Sequence, residues 1–118
     1  MTGEMTRETT ADDLELFKTW FKQWAEILHL EDWDYKFKLC DVGAANARCD
    51  YDTETRKALI KLSDHVEPFL SMEECAKHEA IELLLGDIGC YMSSFISERI
   101  VATEMHRVIN KLMIAVKI

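Results

Sequence analysis

The stretch CAKHEAIELLLGD, residues 75–87, decides how the rest of the chain is interpreted. It predicts one helix, because Ser71 is a suitable N-cap and Glu74 stands at the third helical position, the pattern of a capping box. We interpret Gly86 and Gly89 as stop signals at its far end. Apolar residues take most of the circumference of its second half, which indicates that this half is buried.

Three ionisable residues stand on this predicted helix. At about 100° per residue, His78 and Glu82 project about 40° apart, and Glu79 lies at the edge of the same stripe. Because an unpaired buried charge is costly, these side chains need partners. A metal ion is one such partner.

The pattern His78-Glu79-Ala80-Ile81-Glu82 resembles the active-site helix of zincin metallopeptidases, whose signature is His-Glu-x-x-His followed by apolar residues. In particular, the chain is similar to the small single-domain metallopeptidase-like proteins of phages and prophages that are related to minimal gluzincins. Glu82 stands here where the signature has its second His. The resemblance implies that His78 and Glu82 bind the metal and that Glu79 is the catalytic general base.

The resemblance also implies a third ligand, a Glu on the helix after the motif, and Glu98 is the matching position. The apolar residues of the predicted last helix form one stripe, and Glu98 lies on the centreline of that stripe. Glu104 and Arg107 point away from it, as solvated charges should. We therefore predict His78, Glu82 and Glu98 as the metal ligands.

Other interpretations of these residues stay open. Glu98 also fits a solvated carboxylate in the first turn of a helix, stabilised by the helix dipole. It fits a salt bridge as well, with Arg56, Lys57 or Lys77 as the cation. His65 and His106 are alternative ligands, and Asp64 or Asp87 could orient the motif histidine.

The ligand set bears on the metal and on the reaction. One His and two carboxylates cancel the charge of a divalent ion, so bound water is acidified less than in a His-rich site. We expect Zn²⁺, with another divalent metal such as manganese as the alternative, because oxygen ligands reduce selectivity for zinc. The expected function is a metal-dependent peptidase acting on a peptide or protein substrate. The alternative is a catalytically inactive zincin-like interaction module whose acidic surface binds a host protein.

Composition narrows the class of protein. A chain of 118 residues, 48% of them hydrophobic, fits one globular domain. The net charge of -8 argues against a nucleic-acid partner, which would need a basic patch. The sequence has no apolar run of about 20 residues and no signal-peptide pattern, so we expect no membrane partner and a cytoplasmic location, in a bacterium or a phage-infected host.

The four cysteines contain no C-x-x-C pair. We expect them to be buried small hydrophobic residues rather than disulfide partners or ligands of a separate zinc. They are Cys40, Cys49, Cys75 and Cys90.

The first half of the chain changes period once. Residues 1–10 are polar and predicted to be a flexible N-terminal tail, and residues 11–118 form the single domain. Apolar spacings of three and four predict a helix over residues 11–29. From Trp33 the period becomes two, which predicts three strands and argues against an all-helical di-iron carboxylate protein. The predicted strands are residues 33–40, 44–52 and 56–63.

Short connections between these strands favour an antiparallel meander. A loop over residues 64–70 then leads to the helix capped by Ser71, and a last helix is predicted over residues 93–112. The predicted fold class is α+β, a zincin-like single domain. It has an N-terminal helix, a three-stranded and mainly antiparallel sheet, the active-site helix and a C-terminal helix.

Overall fold

The computed structural model of the chain describes residues 5–116. Within that range the predicted α+β class is confirmed, with four helices and small, partly mixed β-structure. None of the described helices combines the length and apolarity that crossing a membrane requires. The elements are β1 (Arg7–Glu8), α1 (Ala11–Ile27), β2 (Asp34–Cys40), β3 (Ala47–Asp52), β4 (Lys57–Ser63), β5 (His65–Val66), α2 (Met72–Leu84), α3 (Gly86–Ser93) and α4 (Glu98–Ala115).

Helix α1 forms where its apolar spacing predicts it. Phe17, Phe21 and Trp24 fall on one face and are almost fully buried. A capping box fixes its start. The hydroxyl oxygen of Thr10 accepts a hydrogen bond from the Asp13 N–H at 3.0 Å, and the Asp13 carboxylate accepts one from the Thr10 N–H at 2.9 Å.

The residues just before α1 make defined contacts. Strand β1 pairs antiparallel with β5, and the Arg7 guanidinium forms an ion pair with Asp13 at 2.6 Å. Residues 1–4 of the predicted flexible tail lie outside the described residues. The local sequence pattern does not reveal the β1–β5 pairing, because a two-residue strand has no period of its own and its partner lies far along the chain.

The three-stranded sheet has the order β2-β4-β3. Strand β4 is antiparallel to β3 but parallel to β2, so the predicted mainly antiparallel meander is wrong for the β2–β4 pair. The connection between β2 and β3, residues 41–46, is long enough to cross the width of one intervening strand, with neighbouring strands about 4.8 Å apart. Strand β4 occupies that central position between them. That strand buries Ala58, Ile60 and Leu62, and a central position gives it pairing on both edges.

One face of this sheet is covered and the other faces solvent. Phe37, Ile60 and Cys49 lie in register across β2, β4 and β3 on the covered face. The Phe37 ring meets the Phe21 ring of α1 edge-on, with centroids 5.5 Å apart. Helices α1 and α2 pack against each other over this face and contribute most of the buried core.

The glycines predicted as stop signals also have a packing role, and only Gly86 stands at the end of α2 as predicted. Helix α2 ends at Leu84, and α3 begins at Gly86 and includes Gly89. A Cβ at Gly86 would lie 2.8 Å from the Tyr51 ring, and a Cβ at Gly89 would lie 3.1 Å from the Met105 side chain. These glycines let α3 approach β3 and α4 closely. The last helix starts at Glu98 rather than at the predicted residue 93, because residues 86–93 form α3.

A buried lysine joins α2 to the end of α4. Lys77 is 6% exposed, and its ammonium donates hydrogen bonds to the carbonyl oxygens of Met113, at 2.7 Å, and Val116. It also lies 4.8 Å from the centre of the Trp24 ring. The last carbonyls of a helix lack helical partners and carry partial negative charge, so this contact fixes the C-terminal end of α4 against α2.

The capping box of α1 predicts a sensitivity to acid. The Arg7 guanidinium, with the backbone N–H of Thr10, lowers the pKa of Asp13 to about 2. The pKa of an Asp side chain in the unfolded chain is about 3.9. The ionised carboxylate of Asp13 therefore stabilises the fold fully above about pH 4, and this stabilisation is lost as the pH falls toward about 2. Asp13→Asn should therefore lower the free energy of unfolding at neutral pH and flatten its fall below about pH 4, as measured by urea denaturation.

Asp12→Asn is the matched control, because Asp12 lies exposed in the same helical turn. It should keep the wild-type acid dependence. An Asp13→Asn protein with that same dependence would contradict the role given to the capping box.

Candidate metal centre

Helix α2 begins after Ser71 as predicted, but of the predicted capping box only the bond to the Ser71 side chain forms among the described residues. The hydroxyl oxygen of Ser71 accepts a hydrogen bond from the Glu74 N–H at 3.2 Å and caps the first turn. Two turns later the helix is packed against α1, β3 and α4, so its central residues are mostly buried. His78, Glu79 and Glu82 therefore project from a segment that the rest of the fold holds in place.

These three side chains form one group. The Nδ1 atom of His78 lies 3.2 Å from Oε2 of Glu79 and 3.9 Å from Oε2 of Glu82. One ligand atom from each residue lies within 4.8 Å of the other two. Among residues 5–116, this is the one group of at least three His, Cys, Asp or Glu side chains that is close enough to hold a metal ion.

Glu79 is the buried member of the group. The residue is 4% exposed, and its Oε1 atom has no hydrogen-bond partner among the described residues. Most buried polar atoms have a partner, and a buried carboxylate oxygen without one is unfavourable. A cation at this position would relieve that cost. His78 and Glu82 have side chains that are 31% and 30% exposed, which leaves the group open to solvent on one side.

The electrostatics of the group favour its protonated forms. Burial is the main cause that raises the pKa of Glu82 to about 7; the negative charges of Glu79 and Asp50 act in the same direction, and His78 opposes them. The hydrogen bond to Glu79 raises the pKa of His78 against the effect of its burial. The carboxylates of Glu79 and Glu82 thus repel each other unless a proton or another cation is present.

The cysteines do not add thiolate ligands to this group. Burial raises the pKa of Cys75 to about 12 and also raises that of Cys49, and the charge of Glu79 contributes to both shifts. All four cysteines are free. The prediction that they are buried holds for Cys49 and Cys75, whereas Cys40 is partly exposed and Cys90 is exposed. The centre is therefore one of imidazole and carboxylate groups.

Helix α4 brings a second histidine to the group. The ring of His106 stacks on that of His78, with centroids 6.0 Å apart and planes inclined by 26°. Glu82, four residues further along α2, lines one cavity with His106 and with Ala102, which stands four residues before His106 on α4.

Glu98, the predicted third ligand, lies further along α4. It is the first residue of that helix, is exposed, and does not belong to the close group on α2. It lines a cavity of about 280 Å³ that Glu82 and His106 also line. Within the described residues it has no ion pair with the three cations considered, Arg56, Lys57 and Lys77. Its role as a ligand stays a prediction.

The residues proposed to orient His78 are engaged elsewhere. Asp87 forms an ion pair with Arg56 at 2.6 Å, and Asp64 lies 3.2 Å from the exposed His65, away from the group on α2. Glu79 contacts His78 instead. We missed this contact because neighbouring residues on a helix project about 100° apart, although long side chains can still meet.

Comparisons of the chain with models of protein families, with curated proteins and with solved structures gave no match. The resemblance to zincins therefore rests on the motif in α2. The chemistry of the site has to be argued from the residues themselves.

The raised pKa of Glu82 predicts how the metal-free protein responds to pH. The pKa of a Glu side chain in the unfolded chain is about 4.3. The contribution of the protonated Glu82 side chain to stability is therefore complete below about pH 4 and is lost as the pH rises through about 7. The raised pKa of His78 acts in the same direction. In chelator-treated protein, Glu82→Gln should make the free energy of unfolding fall less steeply between about pH 5 and 8.

Glu104→Gln serves as the control, because Glu104 is exposed on α4 and paired with Arg107. Its unfolding curve should follow that of the wild type. A Glu82→Gln protein with an unaltered pH dependence would mean that Glu82 ionises as it does in water.

Proposed function

We propose that this domain is a metal-dependent peptidase in which His78 and Glu82 bind a divalent ion, α4 supplies a further ligand, and Glu79 is the general base. The ion is Zn²⁺ or another divalent metal. The substrate is a peptide or protein. The choice of a peptide bond rests on the resemblance of the motif to zincins, whereas the metal centre rests on geometry.

The observation that carries the proposal is the environment of Glu79. Its carboxylate is buried beside His78 and Glu82, and one of its oxygen atoms has no partner among the described residues. A buried residue that is half paired, next to a group with a strongly shifted pKa, is typical of functional sites. A cation would balance the negative charges that these residues bring together.

The hydrogen bond between His78 and Glu79 suits metal binding. If Nδ1 of His78 donates to Oε2 of Glu79, the neutral ring keeps its free electron pair on Nε2. A carboxylate that holds a histidine in this way fixes the orientation of the ring and increases its basicity as a ligand. The proposed ligand atoms are thus Nε2 of His78 and a carboxylate oxygen of Glu82.

Two residues of α4 are candidates for the further ligand. The resemblance to gluzincins favours Glu98. Proximity favours His106, whose ring already lies against that of His78. The two positions are eight residues apart, about 12 Å along the helix, so variants can separate them.

The remaining chemistry belongs to Glu79. When bound, the metal lowers the pKa of a water molecule and polarises a carbonyl group. The Oε1 atom of Glu79 has no partner among the described residues and can accept the proton of that water, while Oε2 stays hydrogen-bonded to His78. The partly exposed side chains of His78 and Glu82 leave the substrate a way in.

A second candidate function is the non-catalytic interaction module that binds a host protein. One observation favours it: the segment formed by α3 and the start of α4 exposes a run of large apolar side chains, which on a soluble domain commonly mark a protein-binding surface. They are Ile88, Tyr91, Met92, Phe95, Ile96 and Ile100. This apolar run differs from the acidic surface that the sequence suggested for such a partner.

The proposal predicts one divalent ion per chain. Wild-type protein purified without chelator should bind one zinc by elemental analysis, and zinc should raise its melting temperature, because a ligand of the native state stabilises that state. His78→Ala should lose both effects. A wild-type protein that stays metal-free after zinc addition would overturn the metal centre and favour the interaction module.

Variants of α4 provide the control and locate the further ligand. Glu104→Ala changes an exposed residue that is paired with Arg107, so it should keep the zinc and alter stability by no more than about 0.5 kcal/mol. Of Glu98→Ala and His106→Ala, the one that removes a ligand should weaken zinc binding. Equal zinc affinity in Glu98→Ala and Glu104→Ala would exclude Glu98 as a ligand.

A separate prediction concerns the base. Glu79→Gln keeps an oxygen that can accept the hydrogen bond from His78 but removes a proton acceptor. Zinc affinity should stay nearly unchanged, and cleavage of a fluorescent unfolded protein substrate should slow by roughly 10²-fold or more. Loss of zinc together with activity in this variant would make Glu79 a ligand rather than the base.

A further inference from the structure

The cavity between α2, α3 and α4 adjoins the proposed metal centre, because Glu82 and His106 line both. It has a volume of about 280 Å³ and opens next to Glu82. Its walls are largely apolar and include Val101, Met105 and Ile109 of α4. Gly89 forms part of the opposite wall, where the lack of a side chain brings α3 close to Met105. The packing of three helices therefore shapes this space.

The volume limits what the cavity can hold. Pockets for drug-sized ligands usually measure about 300–1,000 Å³. A cavity just below that range suits a single amino-acid side chain rather than a whole cofactor. Because Glu82 lines it, a side chain bound there would place its own backbone next to the group on α2.

The charge of the lining selects the kind of side chain. Among its described lining residues, Glu82 and Glu98 are acidic and none is Lys or Arg. The carboxylate of Glu98 has no hydrogen bond or ion pair with any residue in the range 5–116. If the ion is held by Glu82 and, from α4, by His106, Glu98 remains as the negative charge of this cavity.

We propose that this cavity binds one lysine or arginine side chain of a peptide ligand, with the aliphatic stem along the α4 wall and the cationic end at Glu98. Long basic side chains commonly bury their methylene groups against apolar surface and keep their charge at a polar rim. The net charge of -8 would also attract a basic peptide. The proposal rests on the proposed function insofar as the ligand is a peptide, and it gives that ligand a basic residue.

The test compares three pentapeptides that differ only in the central residue, which is lysine, norleucine or glutamate, between alanines with blocked ends. Dissociation constants are measured by calorimetry with zinc-loaded and with chelator-treated protein. The lysine peptide should bind about fivefold more tightly than the norleucine peptide, the scale of one exposed ion pair, and the glutamate peptide should bind weakest.

Two variants separate charge from shape. Glu98→Gln should bring the lysine peptide to the affinity of the norleucine peptide, and Glu104→Gln should leave the lysine preference intact. Ala102→Phe places a ring into the cavity from an exposed position and should weaken both peptides by at least about tenfold, because the stem is then excluded. Circular dichroism should show that each variant stays folded.

The outcomes distinguish this inference from the proposed function. A lysine preference without zinc binding would overturn the metal centre and keep the pocket. Zinc binding with equal affinity for the lysine and norleucine peptides would overturn the pocket and keep the metal centre. If Glu104→Gln weakens the lysine preference as much as Glu98→Gln does, that preference comes from the overall negative charge of the protein. This result would reject the pocket.

Discussion

The fold depends on how α2 accommodates two buried charges. Lys77 and Glu79 lie two positions apart on the buried part of the same helix. The ammonium group of Lys77 is fully engaged, because two carbonyl oxygens at the end of α4 and the face of Trp24 surround it. Glu79 has a hydrogen bond on one oxygen only. The buried charge of Lys77, which joins the helices, thus has all its partners, whereas the buried charge of Glu79 has only some of them. A ligand would act at Glu79.

The contact of Lys77 also decides what α4 contributes to the site. It sets the position of α4 along the axis of α2, and that position places His106 against His78 and the cavity beyond Glu82. A slip of one residue would move α4 by about 1.5 Å and turn its side chains by about 100°. Other side chains would then face α2. A residue that touches neither the proposed ion nor the cavity thus determines which groups reach both.

The sequence predicted the parts of this structure that depend on local pattern. The change from helical spacing to alternation at Trp33 located the strands, and the capped helix after Ser71 brought three motif residues together because they lie within about one turn of each other. The parallel pairing of β2 and β4 was not predictable in this way, since it depends on which strand takes the centre. Gly86 stands at the end of α2 as predicted, but its close approach to the Tyr51 ring depends on a distant residue and was not predictable.

The periodicity of α4 alone could not show which of its residues lie at the site, because this too depends on distant contacts. The centreline of its apolar stripe pointed to Glu98, but the register against α2 brings the ring of His106 against that of His78. That register is set by Lys77 and the carbonyl groups at the end of α4, which a helical pattern does not show.

The carboxylate at position 82 gives the group its particular chemistry. A histidine there would add no negative charge beside Glu79. Glu82 adds a negative charge, and its pKa of about 7 shows that burial and its acidic neighbours oppose that charge. A divalent ion would reverse the balance, since it stabilises the ionised carboxylates and displaces the proton. The departure from the His-Glu-x-x-His signature therefore increases the need of this group for a cation, and at neutral pH protons and metal ions would compete for Glu82.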